Sequence, residues 1–253
     1  MTGFVSLVGA GPGDPELLTV RALRRLADAD LVLNDALVHA ELLQLAPKAQ
    51  RFYVGKRAGR HSIDQDGIHR LMIRAARRGQ RVVRLKAGDP FVLGRGGEEA
   101  IALEGAGIPY EIVPGLSSAT AAPLLAGIPV THRGVASGFA VISGHAESAY
   151  GPALDGIAPG TLTLVVLMGI KSRGEIARRL IAHGWAETTP AALLFGASQP
   201  GSFTQRTTLG DLVVHGDDEI ATDLPGVLVI GEVVSLADVI GQFRAAPLAE
   251  RSL

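Results

Sequence analysis

The chain of 253 residues contains no cysteine, and aromatic residues make up only 4% of it. Without cysteine there can be no thiolate nucleophile, no cysteine-ligated zinc and no iron–sulfur cluster. Any chemistry must therefore come from hydroxyls, carboxylates, amines, imidazoles or a bound cofactor. The 24 Lys and Arg nearly balance the 25 Asp and Glu, so the formal net charge of -1 argues against an anionic partner for the chain taken as a whole.

Long apolar runs are also missing. No stretch approaches the ~20 residues of a membrane span, and residues 1–13 lack the basic start of a secretory signal peptide. We therefore expect a cytoplasmic protein with no membrane partner. A chain of this length, with 47% hydrophobic and 19% charged residues, can form one large domain or two smaller ones with real cores.

The first part of the chain alternates apolar runs of strand length with amphipathic stretches. A strand over Phe4–Val8 is followed by a glycine turn and by a helix predicted over Pro15–Ala29. A capping box at Ser62 predicts the start of another helix, and further strands are predicted at Val82–Leu85 and Tyr110–Val113. This alternation predicts a mostly parallel sheet with helices on its faces.

The remainder of the chain has fewer helices between its apolar runs. Strands are predicted at Phe139–Ser143 and Leu162–Leu167, whereas Thr204–Thr208 alternates in the way an antiparallel strand does. We therefore predict a two-domain α/β protein, with a mostly parallel sheet in residues 1–114 and a mixed sheet in residues 115–253. We also expect a ligand cleft between the two domains.

The glycine turn from Gly9 to Gly13 follows the first strand and is similar to the dinucleotide-binding fingerprint. Asp35, 22 residues after Gly13, stands where a ribose-binding acid is expected. However, Pro12 lacks an N–H group, and Asp14 places a negative charge at the helix N-terminus where a pyrophosphate has to lie. An NAD-dependent oxidoreductase is therefore an alternative only, and a cofactor without phosphates fits the turn better.

Two other motifs are weak. Ser117 lies between a strand and a helix, as the nucleophile of a serine hydrolase does, but Ala119 replaces the second glycine of that motif. A helix cap is the simpler interpretation of Ser117. The seven histidines include no pair with metal-binding spacing, so we expect no metal.

Positive charge is concentrated in residues 51–86, which contain eleven basic and two acidic residues. One predicted helix surface carries Arg70, Arg74, Arg77 and Arg78. Loops and strand ends are expected to carry Lys56, Arg57, Arg60, Arg84 and Lys86. Because ligands of parallel sheets bind at the carboxyl ends of strands, the second set predicts an anionic ligand. Nucleic acid and a non-enzymatic anion-binding module remain alternatives, although few aromatic residues are present to stack on bases.

The densest motif is the run Arg84–Glu99, whose four glycines and one proline indicate a backbone shaped to approach a ligand. Together with five shorter motifs, this run resembles the tetrapyrrole methylase family, and the resemblance covers nearly the whole chain. The shorter motifs are Val8–Pro15, Asp35–Val38, Val54–Arg60, Val113–Gly115 and Gly127–Arg133.

The resemblance implies two α/β domains, usually in a homodimer, with S-adenosylmethionine bound in the cleft. Asp35 is implied as the proton acceptor and Lys56 as the proton donor. The implied cofactor-binding residues are Pro12, Ala87, Gly88, Asp89, Val92, Ser117, Ser118, Met168 and Ala197. The implied substrate-binding residues are Arg57, Arg60, Arg84, Arg95 and Arg133. Residues 1–114 would then supply the substrate and cofactor loops, and residues 115–253 further cofactor contacts.

The reaction implied by the resemblance is two successive methyl transfers from S-adenosylmethionine to uroporphyrinogen III, giving precorrin-2 and S-adenosylhomocysteine. A polycarboxylate substrate suits bidentate arginine contacts. A methylase of a later corrin precursor is the nearest alternative, because a shared fold does not fix the substrate. Asn34 departs from the tyrosine that the family often has there, and it bears on the orientation of Asp35.

Overall fold

The structure is a computed structural model that describes residues 3–55 and 63–240. The chain divides into two compact units. Unit 1 is Met1–Ala121 with Ser198–Pro200, and unit 2 is Ala122–Ala197 with Gly201–Leu253. Lys56, Arg57 and Arg60 lie outside the described residues. None of the helices in the described ranges combines the length and the hydropathy that a membrane crossing requires.

Unit 1 is built on a parallel sheet, and five strands of it are described. These are β1 (Phe4–Gly9), β2 (Leu31–Asn34), β3 (Gln50–Tyr53), β4 (Arg81–Lys86) and β5 (Tyr110–Val113). Their spatial order is β3-β2-β4-β1-β5, and every neighbouring pair runs parallel. The helices are α1 (Val20–Ala27), α2 (Ala40–Gln44), α3 (Gln65–Arg77) and α4 (Gly96–Gly105), while α5 (Ser118–Leu125) crosses from unit 1 into unit 2 along the chain.

Both faces of this sheet are covered, which is the usual condition of a parallel sheet. Successive residues of a strand point to opposite faces, and β4 follows this rule. Val82 packs in the cluster that contains residues of α3 and α4, whereas Val83 and Leu85 pack with residues of α1 and α2. Arg84 therefore belongs to the face that α3 and α4 cover. The prediction of a parallel sheet with helices on its faces is confirmed.

Two predicted helix starts in unit 1 were wrong. The stretch predicted as one helix over Pro15–Ala29 forms a short 3-10 helix at Pro15–Leu17 and then α1, because the Thr19 side chain accepts a hydrogen bond from the Ala22 N–H and starts a new helix. Helix α3 begins at Gln65 with Asp64 as its N-cap, since the Asp64 carboxylate accepts the Gly67 N–H at 2.7 Å.

Unit 2 contains a mixed sheet, with five strands in the described range. They are β6 (Phe139–Ser143), β7 (Thr163–Leu167), β8 (Pro190–Phe195), β9 (Phe203–Thr208) and β10 (Gly226–Ile230). The order is β6-β7-β10-β8-β9; β6 and β7 are parallel and the other pairs are antiparallel. The helices that follow α5 are α6 (Glu147–Asp155), α7 (Arg173–Ala182), α8 (Leu209–His215) and α9 (Ala237–Ile240).

The mixed sheet confirms the fold class predicted for the second part of the chain, including the antiparallel strand at Thr204–Thr208. Strands β7 and β8 are both antiparallel to β10, so they run in the same direction as each other. Their carboxyl ends therefore lie at the same edge of the sheet. The apolar run that follows β10 turns into a 3-10 helix at Glu232–Leu236, after Gly231 leaves the strand with a φ of 138°.

Candidate active site

Three loops meet at the carboxyl edge of the unit 1 sheet, after β1, β4 and β5. A Cβ atom on Gly9 would lie 2.5 Å from the Gly115 nitrogen and 2.7 Å from the Gly88 oxygen, so a side chain at Gly9 cannot be accommodated. The loops after β1 and β4 are also hydrogen bonded, since the Gly88 N–H donates to the Gly11 carbonyl at 2.8 Å. The glycines therefore serve to bring three backbone segments into contact.

Asp89 connects two of these loops. Its carboxylate accepts the Phe91 N–H at 2.8 Å and the Gly115 N–H at 3.1 Å. A Cβ on Gly88 would lie 3.6 Å from the Ser118 nitrogen, which places the start of α5 beside the loop after β4. Ser117 Oγ accepts the Ala119 N–H at 3.2 Å, as expected for a helix cap.

The structure therefore brings the unit 1 members of the expected cofactor set together in three adjoining loops. Those members are Pro12, Ala87, Gly88, Asp89, Val92, Ser117 and Ser118. The other two, Met168 and Ala197, follow β7 and β8 and lie at one edge of the unit 2 sheet. Their roles in binding stay predictions.

Backbone strain marks the same segments. In the described part of the chain, four residues other than glycine have a positive φ, namely Leu93 at 53°, Arg95 at 58°, Met168 at 58° and Ser198 at 62°. Leu93 and Ser198 follow the predicted contacts Val92 and Ala197 directly, and the other two are themselves predicted site residues. Such conformations are uncommon for these residue types and cluster at functional sites. Sequence patterns gave no signal of this strain.

Strand β4 carries two buried cations. Arg84 is 2% exposed and Lys86 is 3% exposed, while Glu99 of α4, which contacts both, is fully buried. The Arg84 Nε donates to Glu99 at 2.9 Å, and the Lys86 ammonium donates to it at 3.1 Å. Burial, followed by the neighbouring Arg84, lowers the pKa of Lys86, and the carboxylates of Glu99 and Asp35 oppose this shift.

The prediction that these two cations lie at strand ends or in loops is confirmed for Lys86, the last residue of β4, whereas Arg84 lies two residues before the end of the strand. Both side chains are buried under α3 and α4, because alternation along the strand points both toward the covered face. The contact of Arg84 with substrate stays a prediction, with its guanidinium already bonded to two carboxylates. Glu99 was missed, although a carboxylate on the helix that follows a strand with two inward cations is a signal that could have found it.

Asp35 lies at the carboxyl end of β2, and its side chain is 29% exposed. One carboxylate oxygen is 2.5 Å from Arg84 Nη2, and the other is 3.8 Å from the Lys86 Nζ. The neighbouring Asn34 is buried, and its side-chain amide donates to the Asp35 carbonyl at 3.4 Å. Asn34 thus bonds the backbone of Asp35 and leaves its carboxylate to the two cations.

The remaining described arginines of the expected substrate set are exposed. Arg95 forms an ion pair with Glu98 at 2.6 Å, and this carboxylate raises the pKa of Arg95. Arg133 lies in unit 2 on an exposed loop. Within residues 3–55 and 63–240, no group of three or more His, Asp or Glu side chains is placed to hold a metal ion, and the absence of a metal stays a prediction.

Comparison with known proteins places this geometry in a family. The family model of the Tetrapyrrole (Corrin/Porphyrin) Methylases matches residues 5–213. A uroporphyrinogen-III C-methyltransferase from Methanocaldococcus jannaschii is 46% identical over 241 residues, which is 94% of this chain and 99% of that protein. The chain therefore belongs to the tetrapyrrole methylase family.

Two further relatives define the extent of the match. Siroheme synthase 1 of Yersinia enterocolitica is 46% identical over 254 residues; the match covers 99% of this chain but only 53% of that protein, so the chain spans about half its length. A crystal structure of the uroporphyrin-III C-methyl transferase from Thermus thermophilus, complexed with S-adenosyl homocysteine, is 45% identical with a TM-score of 0.79. That match covers 92% of this chain and 100% of the other.

Proposed function

We propose that this protein is an S-adenosylmethionine-dependent C-methyltransferase that converts uroporphyrinogen III into precorrin-2 by two successive methylations, in sirohaem or cobalamin biosynthesis. The observation that carries the proposal is the meeting of three glycine loops that hold the expected cofactor residues of unit 1. Identity of 45% to a structure complexed with S-adenosyl homocysteine supports the choice of cofactor.

The residues present fit this cofactor. The close approach of Gly9, Gly88 and Gly115 leaves backbone rather than side chains facing a ligand at this edge. Pro12 has no N–H to offer to a phosphate, and Asp14 would repel one, but S-adenosylmethionine carries no phosphate. When bound, it supplies an electrophilic methyl group on a positively charged sulfur.

The protein's own contribution is orientation and proton transfer. The side chain of Asp35 is partly exposed and can therefore reach a substrate, while the ion pair with Arg84 orients its carboxylate. In this position it can accept the proton that the macrocycle loses after methylation. Lys56, outside the described residues, is proposed to donate a proton. Of the described arginines expected to bind substrate, Arg84 and Arg95 are paired with carboxylates, whereas no such pair is described for Arg133, so its guanidinium is proposed to bind a substrate carboxylate.

Cofactor binding is tested first, by calorimetric titration with S-adenosylhomocysteine and with NAD. We expect S-adenosylhomocysteine to bind at micromolar concentrations and NAD not to bind. Gly115→Ala should weaken this binding, because the new Cβ would clash with the Gly88 carbonyl oxygen. Gly105→Ala in α4 should not weaken it, because a Cβ there has no atom within 4 Å. Binding of NAD in place of S-adenosylhomocysteine would contradict the proposal.

The substrate is tested by incubating the protein with S-adenosylmethionine and uroporphyrinogen III and measuring the product mass. A gain of two methyl groups is expected. If cofactor binds but the mass does not change, the alternative of a later corrin precursor is favoured instead.

The acid–base roles are tested with Asp35→Ala and Lys56→Ala. Each should lower kcat by about 100-fold or more and change the affinity for S-adenosylhomocysteine much less. Asp28→Ala and Lys48→Ala make the same chemical changes at exposed positions and serve as controls. Turnover of the Asp35 or Lys56 variant at the control level would show that the role is wrongly assigned.

A homodimer is proposed from the family resemblance, and a cytoplasmic location from the lack of long apolar runs in the sequence. Analytical ultracentrifugation should give twice the mass of the chain, and a monomer at micromolar concentration would contradict the dimer. Cell fractionation should recover the protein without detergent.

A further inference from the structure

Glu99 is a buried carboxylate that the proposed reaction does not use directly. Among the described residues, the acidic and basic side chains that are buried are Arg84, Lys86, Glu99 and Arg173. Glu99 contacts both Arg84 and Lys86, and Arg173 lies in unit 2. Burying charge is costly unless it is paired and hydrogen bonded, so this cluster needs an explanation beyond packing.

Glu99 is hydrogen bonded to both cations. Its Oε1 accepts hydrogen bonds from the Arg84 Nε at 2.9 Å, from the Lys86 Nζ at 3.1 Å and from the Gln65 Nε2 at 3.1 Å. The other carboxylate oxygen is also 3.1 Å from the Lys86 Nζ. Through Glu99, helix α4 therefore holds two cations that are two residues apart on β4.

The same two cations also contact Asp35. Arg84 Nη2 is 2.5 Å from one oxygen of the Asp35 carboxylate, and the Lys86 Nζ is 3.8 Å from the other. The remaining nitrogen of the Arg84 guanidinium is 3.4 Å from the Leu33 carbonyl. Each cation thus lies between two carboxylates, the fully buried Glu99 and the partly exposed Asp35.

We propose that Glu99 is a positioning residue for the methyl-transfer reaction, which holds Arg84 and Lys86 so that they orient and moderate the carboxylate of Asp35. This inference rests on the proposed role of Asp35 as proton acceptor. It adds to that proposal a buried carboxylate that acts on the base through two cations and never touches the substrate.

The charge balance gives the physical reason. With Lys86 protonated, two cations and two carboxylates form a neutral set, and Glu99 satisfies one side of each cation. If Glu99 lost its charge, Asp35 would be the sole carboxylate paired with Arg84 and Lys86. The two cations would then stabilise the negative charge of Asp35 more strongly and make Asp35 a weaker proton acceptor. Burial lowers the pKa of Lys86 and Glu99 opposes that shift, so the loss of Glu99 would lower the pKa of Lys86 further.

The groups that face this set come from four elements. Asp35 follows β2, Arg84 and Lys86 come from β4, and Glu99 comes from α4. Helix α3 contributes Gln65, whose side-chain nitrogen is 3.3 Å from the His69 Nε2; His69 in turn lies 3.9 Å from Asp66. His69 is thus the one further titratable side chain that reaches the set through a described hydrogen bond.

The experiment measures kcat, KM for both substrates, the pH profile of kcat and S-adenosylhomocysteine affinity in Glu99→Gln. We expect kcat to fall about tenfold or more, its pH profile to shift, and the affinity for S-adenosylhomocysteine to stay within about threefold of the original protein. Glu99→Asp should recover part of kcat because it restores the charge. The matched control is Glu104→Gln, the same change on an exposed position of α4, which should leave all four quantities unchanged.

A second variant keeps the test decisive if Glu99→Gln fails to fold. The double variant Glu99→Gln with Lys86→Met removes one charge of each sign, so the buried set stays neutral. Because Glu99 no longer holds Arg84 and Lys86 no longer reaches Asp35, kcat should still fall, although by less than in Glu99→Gln alone. If either variant binds S-adenosylhomocysteine and keeps the original kcat and pH profile, the positioning role is wrong. Failure of the proposed function looks different: Asp35→Ala itself would then retain turnover, or no methyl group would be transferred.

Discussion

Strand β4 at the centre of the unit 1 sheet and β10 at the centre of the unit 2 sheet each pair with a strand on both sides, but they bury different chemistry. β10 presents Val227, Leu228, Val229 and Ile230, all of them apolar and buried. β4 interrupts its apolar residues with Arg84 and Lys86, which are equally buried. The second sheet is stabilised by apolar packing. The first sheet also buries the cations Arg84 and Lys86, which are paired with Glu99 and Asp35, and removing one partner would leave a buried charge unpaired.

Buried charge in unit 2 is handled in another way. Arg173 donates to the backbone carbonyls of Ile170, at 2.6 Å, and of Asp218, and no carboxylate pairs with it in the described structure. It fastens the loop after β7 to the loop after α8. Neutral carbonyls satisfy Arg173, whereas the buried cations of β4 are paired with carboxylates.

The largest effect that separates the two sheets is expected from Arg84→Met. This change leaves Glu99 without one of its partners and Asp35 without its closest cation, so the free energy of unfolding should fall by about 3–5 kcal/mol. Chemical denaturation measures it. Arg81→Met, on the same strand but exposed and 3.7 Å from Asp30, should cost under about 1 kcal/mol. Equal losses in the two variants would mean that the buried set does not stabilise unit 1.

A somewhat smaller effect is expected from Leu228→Ala in the centre of β10. The lost side chain leaves a cavity in the unit 2 core, so the free energy of unfolding should fall by about 2–5 kcal/mol. Val214→Ala, on the exposed side of α8, should change it by no more than about 0.5 kcal/mol. A cost for Leu228→Ala as small as that control would contradict the view of unit 2 as stabilised by packing.

The smallest effect concerns Tyr150, a buried polar side chain in the unit 2 core. Burial, then its 2.9 Å hydrogen bond to Glu175, raises the pKa of Tyr150 to about 12, above the ordinary value of 10.0. The folded protein thus keeps a proton that the unfolded chain loses, so the free energy of unfolding should fall as pH rises from about 10 to 12. The slope for one group is at most about 1.4 kcal/mol per pH unit.

Tyr150→Phe removes this titration, and denaturation curves at several alkaline pH values would measure the change. The variant should show a flatter decline than the original protein over that range. An unchanged slope would show that other groups control alkaline unfolding of unit 2.

Much of the fold followed from local patterns. The strand–helix alternation of the first part predicted the parallel sheet, and the alternating run at Thr204–Thr208 predicted an antiparallel strand, which is β9. Both predictions were possible because periods of two and of 3.6 residues are visible in the sequence itself. Helix starts were less predictable, since the cap at Thr19 competes with the upstream start at Pro15, and local pattern alone does not decide which one starts α1.

The candidate site was likewise predictable from the sequence only in part. The glycine turn, the run Arg84–Glu99 and the position of Asp35 are visible in the sequence, because a close backbone approach requires glycine and proton transfer requires a titratable side chain. The prediction of cations at strand ends and in loops holds for Lys86 at the end of β4, but the burial of Arg84 and Lys86 and their pairing with Glu99 were not predicted. Their alternation along β4 was visible too, but which face α3 and α4 cover was not.

By itself, then, the sequence determined the family, the two α/β sheets and the residue types of the site. Only the tertiary structure decided that Glu99 of α4 lies against Arg84 and Lys86 of β4, and that both cations meet Asp35 after β2. The physical reason is that the pairing of charges depends on distances between elements far apart in the chain. Burial then fixes those pairs, because a charge removed from water must keep its partner.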